Sequence, residues 1–384
     1  MRVLILSCST GGGHNTAARA LEERLLLRGH EAKAIDMMAL AGRRHAKIVG
    51  GIYVGIVRHI PLLFGFGYAL ASKLTTPRIW SPVYHTNARM GKYLARYLAQ
   101  HEYDVIATTH LFCAETLTYL KRKNRLAQPV VFVGTDYTCI PFFEEAKPDY
   151  YVIASEELKE ECVRRGIPEE KLYGYGIPTA AAFSSDRTKE EARRELSLEC
   201  EGSVYLIMAG SMGFGKVPLL AYELAAKMKP EDFMVVICGN NKKLKRILAR
   251  EFKGKERVRI IGYTRQVAQY MKACDVIYTK PGGLSSTEAA VSRTPIIHTA
   301  PIPGCETCNM EFFHARGMSF ASARIRTQIA QGVMLAGNPD MAAGMRAAQQ
   351  HFIKGDASVR IAELIESLEC KKAFQENMDE ISGA

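Results

Sequence analysis

Three glycine-rich stretches hold the side chains best suited to chemistry, and each follows an apolar run. The first, CSTGGGHNTAA, spans residues 8–18 and opens a stretch with helical spacing. Unpaired N–H groups and the helix dipole at such a start favour an anion or a closely approaching substrate. Gly12 and Gly13 permit that approach, and the dipole lowers the pKa of the His14 imidazole, which can then accept a proton near neutral pH. The alternative is a histidine that makes only a local hydrogen bond at the helix start.

The other two glycine-rich stretches lie in the second half of the chain. MAGSMGFGK (208–216) leaves an apolar run through Gly213 and Gly215 and leads into a second helical pattern. TKPGGLSSTEAAV (279–291) repeats this arrangement, and its backbone is freed by Gly282 and Gly283. Backbone N–H groups at such turns suit a diphosphate. We therefore predict a nucleotide site in the second half.

Polar side chains at the start of the third helix extend this prediction. Ser285 and Ser286 are expected to be N-cap hydroxyls that contact the diphosphate, and Glu288 follows one turn on. A carboxylate there can accept hydrogen bonds from both hydroxyls of a ribose. The alternative is that Glu288 is the capping-box partner of Ser285, because their three-residue spacing also fits that motif.

The positive charge of the chain is concentrated in one segment. Net charge is +11, yet residues 37–101 contain nine Lys or Arg and no Asp or Glu. Aromatic residues and two apolar runs, at 48–57 and 60–72, accompany these cations, a combination typical of a membrane interface. The predicted contacts with an anionic membrane are Arg43, Arg44, Lys47, Arg58, Phe64 and Trp80. A buried helical hairpin is one alternative, and nucleic acid is a weaker one because no recognised reading motif is present.

Composition indicates an ordinary globular protein, with 47% hydrophobic and 24% charged residues. Neither a signal peptide nor a run long enough to span a bilayer is evident, and most cysteines sit in apolar runs. We therefore predict a cytoplasmic protein, peripheral on the inner face of the membrane. Cys305 and Cys308 form a CxxC pair near His298 and His314, but a structural zinc site usually shows two such pairs, so no metal is predicted.

The elements that must position these residues alternate between short apolar runs and helical segments. The predicted strands are residues 3–8, 32–36, 104–109, 130–136 and 150–155, then 204–210, 233–239, 258–263, 275–280 and 295–300. This pattern predicts an α/β protein with two Rossmann-like doubly wound domains. The predicted boundaries are 1–178 for the first domain, 179–355 for the second and 356–384 for a helical tail that packs on one of them.

Together these motifs resemble a family. STGGGHNTAA, GTDY (134–137), YGYGIP (173–178), MAGSMGFGK, KPGGLSSTEAA and IPGCETCN (302–309) occur in the order found in GT-B glycosyltransferases of the monogalactosyl- and monoglucosyl-diacylglycerol synthase branch, which is family 28-like. The resemblance covers most of residues 1–355 and implies two domains that face a cleft. Residues 1–178 would be an acceptor-binding, membrane-associating domain, and residues 179–355 a UDP-sugar-binding domain. It also implies an inverting transfer of glucose or galactose from a UDP-sugar to diacylglycerol or a related lipid, without a cofactor.

The resemblance also assigns roles to residues. It implies that His14 is the general base and that Asp136 orients His14 or the acceptor, with a helix or turn cap as the alternative for Asp136. The implied donor-binding residues are Gly213, Gly215, Ile261, Gly282, Gly283, Ser285, Ser286, Glu288, Glu306 and Asn309. IPGCETCN departs from the family, which often has Gln before the acidic residue, where this chain has Cys305. The identity of the sugar therefore stays open.

Three other functions remain open at this stage. The same fold would suit transfer of N-acetylglucosamine to a polyprenyl-linked acceptor, or a UDP-sugar epimerase that needs no lipid. A different class is an inert regulator that binds a nucleotide sugar without turnover. The presence of His14, Asp136 and Glu288 argues for an enzyme.

Overall fold

The computed structural model describes residues 1–8, 12–42, 80–198, 200–210 and 216–368. The chain forms two compact units. Met1–Ala180 and the segment that begins at Asp356 make the first unit, and Ala181–Gly355 makes the second. The change of unit between Ala180 and Ala181 lies in the stretch 173–183, where two glycines and a proline break the helical and strand patterns.

The first unit contains a six-stranded sheet in the order β2-β1-β3-β4-β5-β6, with every pair parallel. The strands are β1 (Arg2–Ser7), β2 (Glu31–Asp36), β3 (Val105–Thr108), β4 (Val130–Val133), β5 (Tyr150–Val152) and β6 (Leu172–Tyr173). In this register Leu6 pairs with Thr108, and Thr108 with Phe132. The carboxyl ends of β1, β3 and β4 therefore lie side by side.

Helices cover both faces of this sheet. They are α1 (Gly12–Leu27), α2 (Pro82–Ala88), α3 (Gly91–Leu98), α4 (Leu111–Arg122) and α5 (Lys159–Arg164), with 3-10 turns at Met37–Ala41, Glu156–Leu158 and Glu169–Lys171. Val3 and Ile5 pack on one side with α1, whereas Leu4 and Leu6 pack on the other side with α3 and α4. Alternate residues of β1 are thus buried on opposite faces, as expected for a doubly wound parallel sheet.

Helical residues 357–368 complete the first unit. Ile361, Ile365 and Leu368 join the core that contains Val3 and Ile5. At the edge of this contact, the Arg28 guanidinium donates to the Glu366 carboxylate at 2.7 Å. The predicted packing of the apolar stripe in this segment is confirmed, and its partner is the first unit.

The second unit repeats the architecture with the strand order β12-β11-β10-β7-β8-β9. Its strands are β7 (Val204–Met208), β8 (Phe233–Ile237), β9 (Val258–Ile261), β10 (Val276–Thr279), β11 (Ile296–His298) and β12 (Ser319–Ala321). Its helices are α6 (Lys189–Glu195), α7 (Val217–Ala225), α8 (Lys242–Glu251), α9 (Val267–Ala273), α10 (Gly283–Val291), α11 (Cys305–Ala315), α12 (Ile325–Gly337) and α13 (Pro339–Phe352), after a 3-10 turn at Ala181–Ser184. One face of the sheet is covered by α7, α8 and α12.

All ten predicted strands are present, and the α/β fold with two doubly wound sheets is confirmed. The sequence analysis missed β6 and β12, which are two and three residues long. Within the described ranges, every helix is too short or too polar to span a bilayer. Residues 43–79 of the predicted membrane segment lie outside the described residues.

Candidate functional site

His14 is held in the first turn of α1 by two groups that follow the strands β3 and β4. Its Nδ1 atom lies 2.8 Å from the carbonyl oxygen of Thr109 and 2.9 Å from Oγ1 of Thr135. A carbonyl oxygen can only accept, so Nδ1 carries the ring proton and donates it to this oxygen. The lone pair of a neutral imidazole is then on Nε2. The geometry therefore prepares His14 Nε2 to accept a proton.

The charge on Asp136 acts on this histidine. Desolvation lowers the pKa of His14, whereas the Asp136 carboxylate and the hydrogen bond to Thr109 raise it, and the pKa remains below its ordinary value. The imidazole is therefore neutral at neutral pH. Asp136 lies in a bend after β4, where no helix begins, so the helix cap proposed as its alternative is not found. The structure brings His14 and Asp136 together.

His110 is a third member of the site that sequence reasoning missed. Its ring centroid lies 4.5 Å from that of His14, with the planes at 68°. Its Nδ1 accepts the N–H of Phe112 at 3.1 Å, which caps α4. Burial and the proximity of His14 hold the pKa of His110 well below its ordinary value. His110 could have been suspected from THLF, because it follows a strand and opens a helix as His14 does.

The order of the strands explains why these residues meet. From β1 the chain leads through α1 to β2 at one side, and from β3 it leads through α4 to β4 at the other. The strand order therefore reverses between β1 and β3. Ligands of open α/β sheets bind at the carboxyl end of such a switch point. Gly12 and Gly13 lie there too, in the first turn of α1.

Trp80 is the one predicted membrane contact that the structure describes, since Arg43, Arg44, Lys47, Arg58 and Phe64 lie outside the described residues. Its ring centroid is 4.0 Å from that of Tyr84 and 4.2 Å from the guanidinium carbon of Arg122. The half-buried indole thus packs against the first unit before α2.

In the second unit, α10 begins earlier than predicted. Gly282 is its N-cap, with an extended backbone at φ −70° and ψ 135°, and Gly283 is its first residue. Ser285 and Ser286 are therefore inside the first turn, and the prediction that they are N-cap residues is wrong. The capping-box alternative for Glu288 is wrong for the same reason, because Ser285 does not occupy the N-cap.

The diphosphate contact predicted for the Ser286 side chain is also wrong in this conformation. Ser286 is fully buried, and its hydroxyl lies 3.0 Å from Nε2 of His298. The other ring nitrogen of His298 lies 3.0 Å from the hydroxyl of Ser319. Burial lowers the pKa of His298 to about 3, so this ring is neutral and links α10 to β12. Ser285, by contrast, is half-buried.

Glu288 is a buried carboxyl group in α10. It is 6% exposed, and burial raises its pKa to about 8. The free acid therefore predominates at neutral pH in the absence of a ligand. Hydroxyl donors that replace the lost solvation would favour the ionised form.

Two residues expected to contact the sugar instead hold the turn before α10. The amide of Asn309, on α11, donates to the Pro281 carbonyl oxygen at 3.1 Å, and Asn309 is fully buried. The predicted sugar contact of Asn309 is therefore wrong in this conformation. Glu306 forms an ion pair with Lys280 at 2.8 Å and accepts the N–H of Ile302 at 2.7 Å. Its contact with a sugar stays a prediction.

Of the remaining predicted donor residues, the structure describes Ile261. The carbonyl oxygen of Ile261, at the end of β9, accepts the N–H of Cys238 at 2.9 Å. Gly213 and Gly215 lie outside the described residues. Among the described residues, no group of three His, Cys, Asp or Glu side chains is arranged to hold a metal ion. Both ring nitrogens of His298 already have serine partners, so it does not join Cys305 and Cys308 in a metal site.

Each unit matches a glycosyltransferase family model. Residues 14–179 match monogalactosyldiacylglycerol (MGDG) synthase, and residues 189–331 match glycosyl transferases group 1. The chain has the GT-B fold and resembles the monogalactosyldiacylglycerol synthases. This confirms the resemblance inferred from the sequence motifs.

Curated relatives of this GT-B chain include two processive diacylglycerol beta-glucosyltransferases. The one from Staphylococcus carnosus (strain TM300) is 31% identical over 225 residues, which are 59% of this chain and 57% of the relative. The one from Bacillus cereus (strain B4264) is 28% identical over 325 residues, 82% and 80% of the two chains. The chain thus spans under two thirds of the Staphylococcus relative and four fifths of the Bacillus relative.

Solved structures show the same GT-B fold at low sequence identity. Acinetobacter baumannii MurG is 13% identical, with a TM-score of 0.62 over 95% of this chain and 99% of that chain. Anabaena HepE in complex with UDP-glucose is 15% identical, with a TM-score of 0.55 over 96% of this chain and all of that chain.

Proposed function

We propose that this GT-B protein is an inverting hexosyltransferase that moves glucose or galactose from a UDP-sugar to diacylglycerol or a related membrane lipid. The observation that carries the proposal is the His14 geometry, in which the Thr109 carbonyl fixes the Nδ1 proton and leaves Nε2 basic. The family model over residues 14–179 and the names of the curated relatives support diacylglycerol as the acceptor.

The proposed reaction is a single displacement. Nε2 of His14 takes the proton of the acceptor hydroxyl as its oxygen attacks the anomeric carbon. The bond from that carbon to the UDP oxygen breaks, and the electron pair leaves with UDP. Asp136 stabilises the imidazolium that forms, because its carboxylate raises the affinity of His14 for a proton. Attack from the face opposite the leaving group inverts the anomeric configuration.

The second unit is proposed to hold the donor. The turn at Gly282 and the first N–H groups of α10 face the carboxyl end of the sheet, where they suit a diphosphate. Glu288 accepts hydrogen bonds from the ribose hydroxyls, and ionises as it does so. The N–H groups at the start of α10 stabilise the negative charge that develops on departing UDP. UDP-sugar is a co-substrate, and the proposed mechanism assigns no step to a cofactor or metal.

The acceptor places the protein at a membrane surface. We propose peripheral association with the inner face of an anionic membrane, supported by the acid-free basic segment 37–101. Diacylglycerol has an apolar body and one free hydroxyl, so it reaches His14 only from a bilayer.

The test is incubation with UDP-glucose or UDP-galactose and vesicles that contain diacylglycerol, followed by mass analysis of the lipids. A hexosyl-diacylglycerol product is expected, and it should fall by at least about a hundredfold in the His14→Gln variant. Glu102→Gln, an exposed change in the same unit, is the matched control. Conversion of UDP-sugar without lipid would instead indicate an epimerase, and UDP binding without any turnover would indicate a regulator.

A further inference from the structure

The charge of the second unit is concentrated as strongly as that of the first. Residues 242–259 contain nine Lys or Arg and only two acidic residues, Glu251 and Glu256. They comprise α8, the following turn and the first residues of β9. Of these cations, eight are exposed and Arg259 is half-buried.

The cations of α8 form a stripe along its outer face. Lys243, Arg246 and Arg250 recur at intervals of three or four residues, which places them on one side of the helix, and Lys253 follows in the turn after α8. The opposite side contributes Leu244, Leu248 and Phe252 to the core. In the part of the chain that the structure describes, Arg250 is the only one of these four cations with an ion pair, to Glu251 at 3.6 Å. Ordinary charge pairing therefore does not account for the stripe.

Exposed apolar side chains occur on the same helix as the stripe and on α7 and α12. The same helical layer, α7, α8 and α12, packs its inner side on one core, yet its outer side exposes Leu219, Tyr222, Ile247 and Met334 by 46%, 41%, 41% and 43%. These are half of the eight large hydrophobic side chains that are exposed among the described residues. Tyr222 also joins α7 to the end of α8, since its ring centroid lies 5.4 Å from that of Phe252.

We propose that this outer surface of α7, α8 and α12 is a docking surface for an anionic lipid bilayer. Cations select the negative headgroups, and apolar side chains between them enter the boundary with the acyl chains. A nucleic acid would satisfy the cations but would leave Ile247, Leu219 and Met334 in water. The choice of a bilayer rests on the proposed function, in which the acceptor is a membrane lipid. The surface lies in the second unit and contains no residue of the basic segment 37–101.

The experiment measures sedimentation of the full-length protein with vesicles of equal parts phosphatidylglycerol and phosphatidylcholine, without diacylglycerol or UDP-sugar. The outcome is then independent of whether the protein transfers a sugar. The test variant combines Lys243→Glu, Arg246→Glu and Arg250→Glu. The matched control reverses three exposed cations of the first unit, Lys123→Glu, Arg125→Glu and Arg164→Glu, of which Arg164 has an exposed pair with Glu160 as Arg250 has with Glu251.

The test variant should bind these vesicles about a hundredfold more weakly than the parent, because each cation near an anionic surface contributes about a fivefold factor. The control should stay within a few fold. A second variant, Leu219→Ser with Tyr222→Ser, should lose the part of the binding that survives high salt. Thermal unfolding checks that each variant is folded.

Three results would overturn the proposal. One is a charge variant that binds the vesicles within about twofold of the parent. Another is an equal loss of vesicle binding in the control variant, which would show that the effect comes from the net charge of the protein and not from this surface. The third is a parent that prefers duplex DNA to the vesicles, with the loss in the charge variant confined to DNA.

Discussion

The Nδ1 atom of His14 and the carbonyl oxygen of Thr109 lie 2.8 Å apart, which ties the first turn of α1 to the residue after β3. Thr109 strengthens the link, because its hydroxyl donates to the His14 carbonyl oxygen at 3.0 Å. The ring therefore has a fixed tautomer and a fixed place before any substrate arrives. A base held in this way needs little reorganisation during the reaction.

Removing the charge of Asp136 should move the acid limb of the rate profile. In Asp136→Asn the carboxylate no longer raises the pKa of His14, so that pKa falls further below its ordinary value. The acid limb of kcat/KM should shift to lower pH, and the plateau should fall because the base is weaker. Profiles of kcat/KM between pH 5 and pH 8 test this, with Glu102→Gln as the control. A limb that stays in place would show that Asp136 does not act on the base.

Two substitutions at His110 separate its roles. His110→Asn keeps an acceptor for the Phe112 N–H but removes the ring that lies beside His14. The desolvation of His14 then weakens, so its pKa rises. The acid limb of kcat/KM should therefore move to higher pH. His110→Phe keeps a ring beside His14 but loses the N-cap hydrogen bond of α4. This change should lower the free energy of unfolding by about 1 kcal/mol and leave the acid limb of kcat/KM in place. Paired pH profiles and denaturant titrations are the measurements. Identical profiles for His110→Asn and the parent would limit His110 to the cap.

UDP binding should release a proton at pH 7. Free Glu288 has a pKa of about 8, so its carboxyl group is mostly protonated there, and ribose hydroxyls that donate to it would favour the ionised form. Affinity for UDP should therefore rise with pH up to about pH 8 and then level off. Calorimetry in buffers of different ionisation enthalpy counts the proton, and Glu288→Gln should abolish its release. Proton uptake, or none in the parent, would contradict the ribose contact.

Neighbouring serines in α10 should respond in opposite ways. Ser286→Ala leaves Nε2 of buried His298 without its partner and should cost about 1–2 kcal/mol of unfolding free energy, with affinity for UDP unchanged. Ser285 is half-buried, so Ser285→Ala should leave stability nearly unchanged and weaken UDP binding. Denaturant titration and UDP titration of both variants decide this. The reverse pattern would restore Ser286 as the donor contact.

Local patterns in the sequence were enough to predict the strands, because each predicted strand is an apolar run bounded by turn residues. β6 and β12 escaped because two or three residues carry no periodicity, and both lie at a sheet edge. The meeting of His14 and His110 depends on β1 lying beside β3, which no local pattern encodes. The burial of Ser286 and Asn309 likewise depends on partners far along the chain, namely His298 and Pro281.

Residues 357–368 pack on the first unit, and this affects the order in which the two units fold during synthesis. The sheet of the first unit is complete once β6 has emerged, but the side with Val3 and Ile5 still lacks Ile361 and Ile365. All of Ala181–Gly355 is translated in between. The second unit can therefore finish folding first. Until residues 357–368 are translated, the apolar side chains of the first unit that they cover, Val3 and Ile5 among them, stay exposed or are covered by a chaperone.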